Sequence, residues 1–120
     1  MNSLVKVCKV SDVASGGMKS FTLRELVEPV AVFNLDGTIY VTNDECTHFV
    51  ASLTEGYFDG EVVECPLHGG SFNIKTGEPM SRPCEIPLHT YQVVIESGDV
   101  YIKSETQKNR PNWNIGKETT

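Results

Sequence analysis

The sequence predicts an all-β protein of small antiparallel sheets, and three observations carry that expectation. Runs rich in Val, Ile, Tyr, Phe and Thr recur along the chain and stay short. Several are divided by Asp-Gly or Ser-Gly pairs, which tolerate the positive φ that tight hairpins require. No apolar period of helical length occurs beyond brief stretches.

Taken in order, Leu4 to Val10 (LVKVCKV) alternates loosely and reads as the first strand. Brief helical turns are expected at SDVAS and near LRELV. PVAVFNLDGTIYVTN reads as two strands joined at Asp36-Gly37, and GYFDGEVVEC repeats the device at Asp59-Gly60. SFNIKTGEP is a short strand followed by a turn at Thr76-Gly77, and TYQVVIESGDVYIK is a hairpin bent at Ser97-Gly98. Residues 1–103 are expected to form one domain. The polar segment 104–120 is a tail, either disordered or pinned to the body through Trp113 and Ile115.

The chain has 120 residues, enough for a single modest core. It contains no apolar run of spanning length and no signal-peptide pattern, so the expected compartment is the cytoplasm and no membrane partner is expected. Net charge is −6, and the stretch from Glu25 to Ile74 holds nine acids and no Lys or Arg. Such a surface does not suit a phosphate backbone, which argues against nucleic acid, and could instead steer the protein toward a basic partner. Four cysteines without an export signal favour metal over disulfides.

Two segments carry that chemistry. ECTHF places Cys46 and His48 two positions apart, and ECPLHGG places Cys65 and His68 three apart, with sixteen residues between the pairs. Each pair sits in a loop beside a strand, so two hairpin-like loops can bring all four side chains together. Structural zinc sites usually take paired cysteines from one loop and paired histidines from another. Here both loops mix the two types, and Cys46 and His48 are separated by a single residue. That spacing suits a two-iron, two-sulfide unit, in which neighbouring ligands reach different metal atoms. A structural zinc-binding interaction module stays open as the alternative.

CTHFVASLTEGYFDGEVVECPLHGGSF resembles the Rieske family. The wider run to YQVVIESGDVYIK looks like the Rieske ferredoxins of bacterial aromatic-ring-hydroxylating dioxygenase systems, and the likeness spans roughly residues 4 to 103. The resemblance implies a β base domain with an inserted cluster-binding subdomain at about residues 44 to 75. It implies one [2Fe-2S] cluster, with Cys46 and Cys65 on one iron and His48 and His68 on the other. It also implies a proline-bearing loop over the cluster, for which GEPMSRP, with Pro79 and Pro83, is the candidate. Gly69 and Gly70 would let backbone N–H groups approach the sulfides.

High-potential members of the family carry an extra cysteine in each loop and hydroxyl donors to the sulfurs. This chain has Ala51 and Leu67 at the cysteine positions, and Gly70 and Phe72 where the donors would be. The expected potential is therefore near the low end of the Rieske range, roughly −150 mV. Cys8 and Cys84 read as packing residues, and His89 as a surface or structural histidine.

An oxygenase would need a further mononuclear iron held by two histidines and a carboxylate. The chain has three histidines, of which the cluster would use two. No G-x-G-x-x-G follows a strand, so a nicotinamide- or flavin-binding reductase is not expected either. The expectation is a one-electron carrier and not an enzyme. By the resemblance its donor is a flavin-dependent NADH reductase and its acceptor a terminal ring-hydroxylating oxygenase. An electron-input subunit of another reductase or of a monooxygenase is the alternative use of the same cluster.

Overall fold

A computed structural model describes residues 4–47, 51–67, 69–82 and 86–103 of the chain. These residues build three small antiparallel sheets. The strands are β1 (Leu4–Lys9), β2 (Met18–Phe21), β3 (Val30–Leu35), β4 (Thr38–Asn43), β5 (Tyr57–Asp59), β6 (Val62–Glu64), β7 (Ser71–Asn73), β8 (Pro79–Ser81), β9 (Thr90–Tyr91), β10 (Val93–Glu96) and β11 (Asp99–Lys103). Short 3-10 turns lie at Val10–Asp12 and Leu53–Glu55.

The sheets run β1-β11-β10, β2-β3-β4-β9 and β5-β6-β7-β8. The chain therefore leaves the second sheet after β4, completes the third, and returns to the second at β9. The third sheet is an insertion in a two-sheet base.

The hairpins follow the local turn chemistry. Leu35 pairs with Thr38 and Glu96 with Asp99, so two residues turn each bend. Those residues have positive φ, at 52° and 94° for Asp36-Gly37 and at 52° and 80° for Ser97-Gly98. This is the type I′ pattern, whose twist matches that of paired strands. The third hairpin differs from the sequence expectation by one position. Asp59 pairs with Val62, so Gly60 and Glu61 make the turn. Only Gly60 has positive φ, the pattern of a type II′ bend with glycine first.

Other departures are equally local. LRELV forms a turn, closed by Leu26 N donating to Leu23 O at 3.1 Å, and not a helix. The brief helical turn expected at SDVAS is present as the 3-10 turn, placed one residue earlier at Val10–Asp12. Part of the expected proline-bearing loop is strand: Pro79 opens β8, where a missing N–H is tolerated, and pairs with Phe72. Pro83, Cys84 and the tail 104–120 lie outside the described residues, as do His48 and His68.

Strand β3 holds the molecule together because it is buried on both faces. Val30 and Val32 point into a core shared with Val5, Val7, Cys8, Val100 and Ile102 of the first sheet. Ala31 and Phe33 point the other way, into a second core with Leu53, Val63, Phe72, Ile74 and Leu88. Cys46 and Cys65 belong to this second core. In β1 the register shifts between Lys6 and Cys8, and this bulge lets consecutive Val7 and Cys8 both turn inward.

Candidate metal centre

Two loops end at the second core. The first leaves β4 and is closed by a bridge between Glu45 and Ser52 and by Cys46 N donating to Ala51 O at 2.9 Å. The second is the tip of the β6–β7 hairpin. Glu64 pairs with Ser71, and Cys65 N donates to Gly70 O at 2.7 Å, so backbone bonds alone set where Cys65 sits. The 3-10 turn at Leu53–Glu55 packs the two loops together through Gly56. A Cβ there would lie 1.9 Å from Glu64 O and 3.1 Å from Pro66 Cδ, so only glycine fits without a shift.

Cys46 is 4% exposed and Cys65 2% exposed. Both are free thiols, and they lie within hydrogen-bonding reach of each other. Burial pushes the Cys65 thiol up, and the neighbouring Cys46 thiol and Glu64 carboxylate act in the same direction. The Leu67 N–H, donating to the sulfur, acts against them. Such a backbone donor supports a metal-bound thiolate, whose formation releases the proton.

The described rim of the second loop is exposed. Leu67 is 40% exposed, and Gly69, with φ of 74°, is exposed as well. Thr47 Oγ1 donates to Ile86 O at 2.7 Å and ties the first loop to the segment leading into β9.

Of the four residues expected to bind metal, the described structure brings Cys46 and Cys65 together. His48 and His68 lie outside it, between described neighbours Thr47, Leu67 and Gly69. Two buried thiols from separate loops, meeting without a disulfide and with an amide aimed at one sulfur, fit the thiolate side of a [2Fe-2S] cluster. Cys8 stands apart in the base core. Burial, then the Asp12 carboxylate, raises its pKa to about 11, with Lys19 pulling against them. That is an inert packing thiol, as expected from the sequence.

Sequence reasoning missed one residue of this region. Asp44, 2% exposed, sits at the neck of the first loop. Its Oδ2 accepts from Ser20 Oγ at 3.0 Å and from Ser52 Oγ, and its Oδ1 accepts from Thr54 N at 3.0 Å. Nothing in the string TNDEC marks this acid as buried. Its partners lie 24, 8 and 10 residues away.

Comparison with known proteins agrees with this geometry. The Rieske [2Fe-2S] domain family matches residues 3–92. The 3-phenylpropionate/cinnamic acid dioxygenase ferredoxin subunit of Escherichia coli strain K12 is 45% identical over 100 residues, covering 82% of this chain and 91% of that protein. The solved Sphingomonas yanoikuyae B1 ferredoxin superposes with a TM-score of 0.81 at 44% identity, covering 84% of this chain and 98% of that one. A ferredoxin-sized chain in the complex of reduced oxygenase and oxidized ferredoxin of carbazole 1,9a-dioxygenase gives a TM-score of 0.78 at 44% identity, with 83% and 92% covered. The paired Cys/His loops, the inserted third sheet and these likenesses converge: the chain belongs to the Rieske [2Fe-2S] domain family, among its ferredoxins.

Proposed function

We propose that the chain is a one-electron carrier of an aromatic-ring-hydroxylating dioxygenase system, receiving electrons from a flavin-dependent NADH reductase and delivering them to a terminal oxygenase. When bound, the [2Fe-2S] cluster supplies a reversible one-electron couple. Cys46 and Cys65 hold it from the second core, and His48 and His68 complete the ligand set. The cluster-binding unit spans about residues 44 to 75 of a domain covering residues 1–103. The observation that carries this reading is the meeting of two buried free thiols from two loops. The relatives support the choice of an oxygenase as acceptor: one is a dioxygenase ferredoxin subunit, and another is solved with an oxygenase.

The chain's own residues bear on potential and docking. Phe72, where high-potential relatives are expected to carry a hydroxyl, is fully buried and offers the sulfurs no donor. A potential near the low end of the Rieske range, roughly −150 mV, follows.

The acidic stretch is less uniform than the sequence suggests. Asp44 is buried, Asn43 Nδ2 donates to Glu28 Oε1 at 2.7 Å, and Glu61 Oε2 lies 3.3 Å from Lys75 Nζ. Glu25, Asp36, Glu55, Asp59 and Glu64 remain exposed and available to a basic partner surface. Among the described residues no helix is long and apolar enough to cross a membrane.

The test is reconstitution. The purified protein is expected to contain iron and acid-labile sulfide, to be reduced through an NADH-dependent flavoprotein, and to be reoxidised by a terminal oxygenase, both at rates that fall with ionic strength. Zinc without sulfide would overturn the reading in favour of a structural module.

A further inference from the structure

The two ligand loops are held by different means. Cys65 is placed by the β6–β7 ladder and the Cys65–Gly70 bond, all backbone. Among the described residues the first loop has a single bridge, Glu45 with Ser52, made by Cys46 N on Ala51 O and Leu53 N on Asp44 O. The side chain of Asp44 reinforces that closure. That carboxylate takes hydroxyls from Ser20 on β2 and from Ser52 across the loop, and the amide of Thr54 from the 3-10 turn. Its backbone is fixed as well: Asp44 N donates to Pro29 O at 3.0 Å, and Asp44 O accepts from Leu53 N at 2.7 Å.

We propose that Asp44 is the positioning residue of the first ligand loop. It gathers base sheet, loop and 3-10 turn onto one buried carboxylate, and so fixes the depth at which Cys46 meets Cys65 before any metal binds. Acceptor bonds to a carboxylate are stronger than neutral ones, and removing the acceptor leaves its buried donors unsatisfied. Where the second loop stands on a three-pair ladder, the described part of the first has one bridge, and the carboxylate supplements it. The proposal rests on the cluster-binding reading for its consequence, but not for its geometry.

The experiment uses the purified holo-protein and the variants Asp44→Ala, Asp44→Asn and Ser20→Ala. One readout is the rate at which the chromophore bleaches in excess iron chelator. The other is amide hydrogen exchange at Cys46, Leu53 and Thr54, against Val100 and Ile102 in the first sheet. Asp44→Ala should speed iron loss on the order of tenfold, and Ser20→Ala by a few-fold. Asp44→Asn should fall between Asp44→Ala and wild type, because the amide oxygen can still accept from Thr54 N. Exchange should rise at the three loop amides and stay unchanged at Val100 and Ile102.

Wild-type rates in Asp44→Ala would overturn the proposal. Exchange rising equally in the first sheet would overturn it too, since Asp44 would then be a general stabiliser. If Asp44→Ala does not fold, Ser20→Ala, altered at an exposed position, decides by the same two readouts. If the wild type holds no iron and sulfide, the functional reading falls, and the exchange comparison still judges Asp44.

Discussion

The two faces of β3 receive the same kind of burial and put it to different use. Toward the first sheet, Val30 and Val32 meet aliphatic side chains and one thiol, Cys8, with no second cysteine in that core among the described residues. Toward the third sheet, Ala31 and Phe33 meet a core that contains two thiols, Cys46 and Cys65, within reach of each other. Side chains alternate across a strand, so neighbouring residues of β3 report on two separate chemistries. The difference lies in delivery: two loops bring two thiols to one place in the second core, while the first core holds Cys8 among aliphatic side chains, and the proposed metal site follows the paired thiols.

The largest contrast should come from the cysteines. Cys65→Ala and Cys46→Ala are expected to abolish the visible chromophore, whereas Cys8→Ala keeps full iron and sulfide content. Absorption spectra with metal analysis of the three proteins check this. A Cys8 variant without cluster would erase the distinction between the two cores.

Adjacent residues of β3 come next. Phe33 is fully buried and makes an edge-to-face contact with Phe58, ring centroids 5.1 Å apart. Phe33→Ala should cost about 3–5 kcal/mol and hasten cluster loss. Val32→Ala, also at full burial, should cost about 2 kcal/mol and leave the rate of cluster loss near that of the wild type. Denaturant unfolding and chelator kinetics on both variants separate stability from retention.

Gly56→Ala tests the junction between the loops. The new Cβ would meet the Glu64 carbonyl at 1.9 Å, so the backbone must move, at about 2–3 kcal/mol. Gly37→Ala is its control, since nothing lies within 4 Å of a Cβ there. Only the positive φ at Gly37 is penalised, by about 1 kcal/mol. Gly56→Ala should lower cluster occupancy, and Gly37→Ala should not.

The smallest effect concerns pH. The Cys8 thiol has its folded pKa raised from 9.0 to about 11, so the folded state favours the protonated form. That contribution is fully present below pH 9 and is lost as pH rises toward 11. The loss amounts to at most about 2–3 kcal/mol. Unfolding of wild type and Cys8→Ala over this range should show a steeper decline in the wild type. Parallel declines would mean that Cys8 titrates alike in folded and unfolded chains.

Much of the fold could be read from local chemistry. Asp36-Gly37 and Ser97-Gly98 announce their bends because a type I′ turn needs two positive φ values in a row. Where the signal was local but ambiguous, the reading slipped. Asp59-Gly60 has the same letters, yet Gly60 serves as the first central residue of a different turn. β2, Met18–Phe21, escaped notice because Lys19 and Ser20 are both exposed and no alternation survives in four residues. β8 was hidden by Pro79, which reads as a breaker until its place at a strand start is known.

The site divides in the same way. Cys46 and Cys65 were singled out by their spacing to His48 and His68, and the fold brings the two thiols together. Asp44 was not, because its role depends on partners that the fold brings together from distant positions.

The central claim is that two cysteines and two histidines share one diiron unit. Pulsed electron paramagnetic resonance of the reduced protein, with histidine ring nitrogens labelled, tests it most directly. Two directly coupled histidine nitrogens are expected in the wild type, with the signal lost or changed in His48→Ala and in His68→Ala. A spectrum with no histidine coupling, or one that both variants leave untouched, would contradict it.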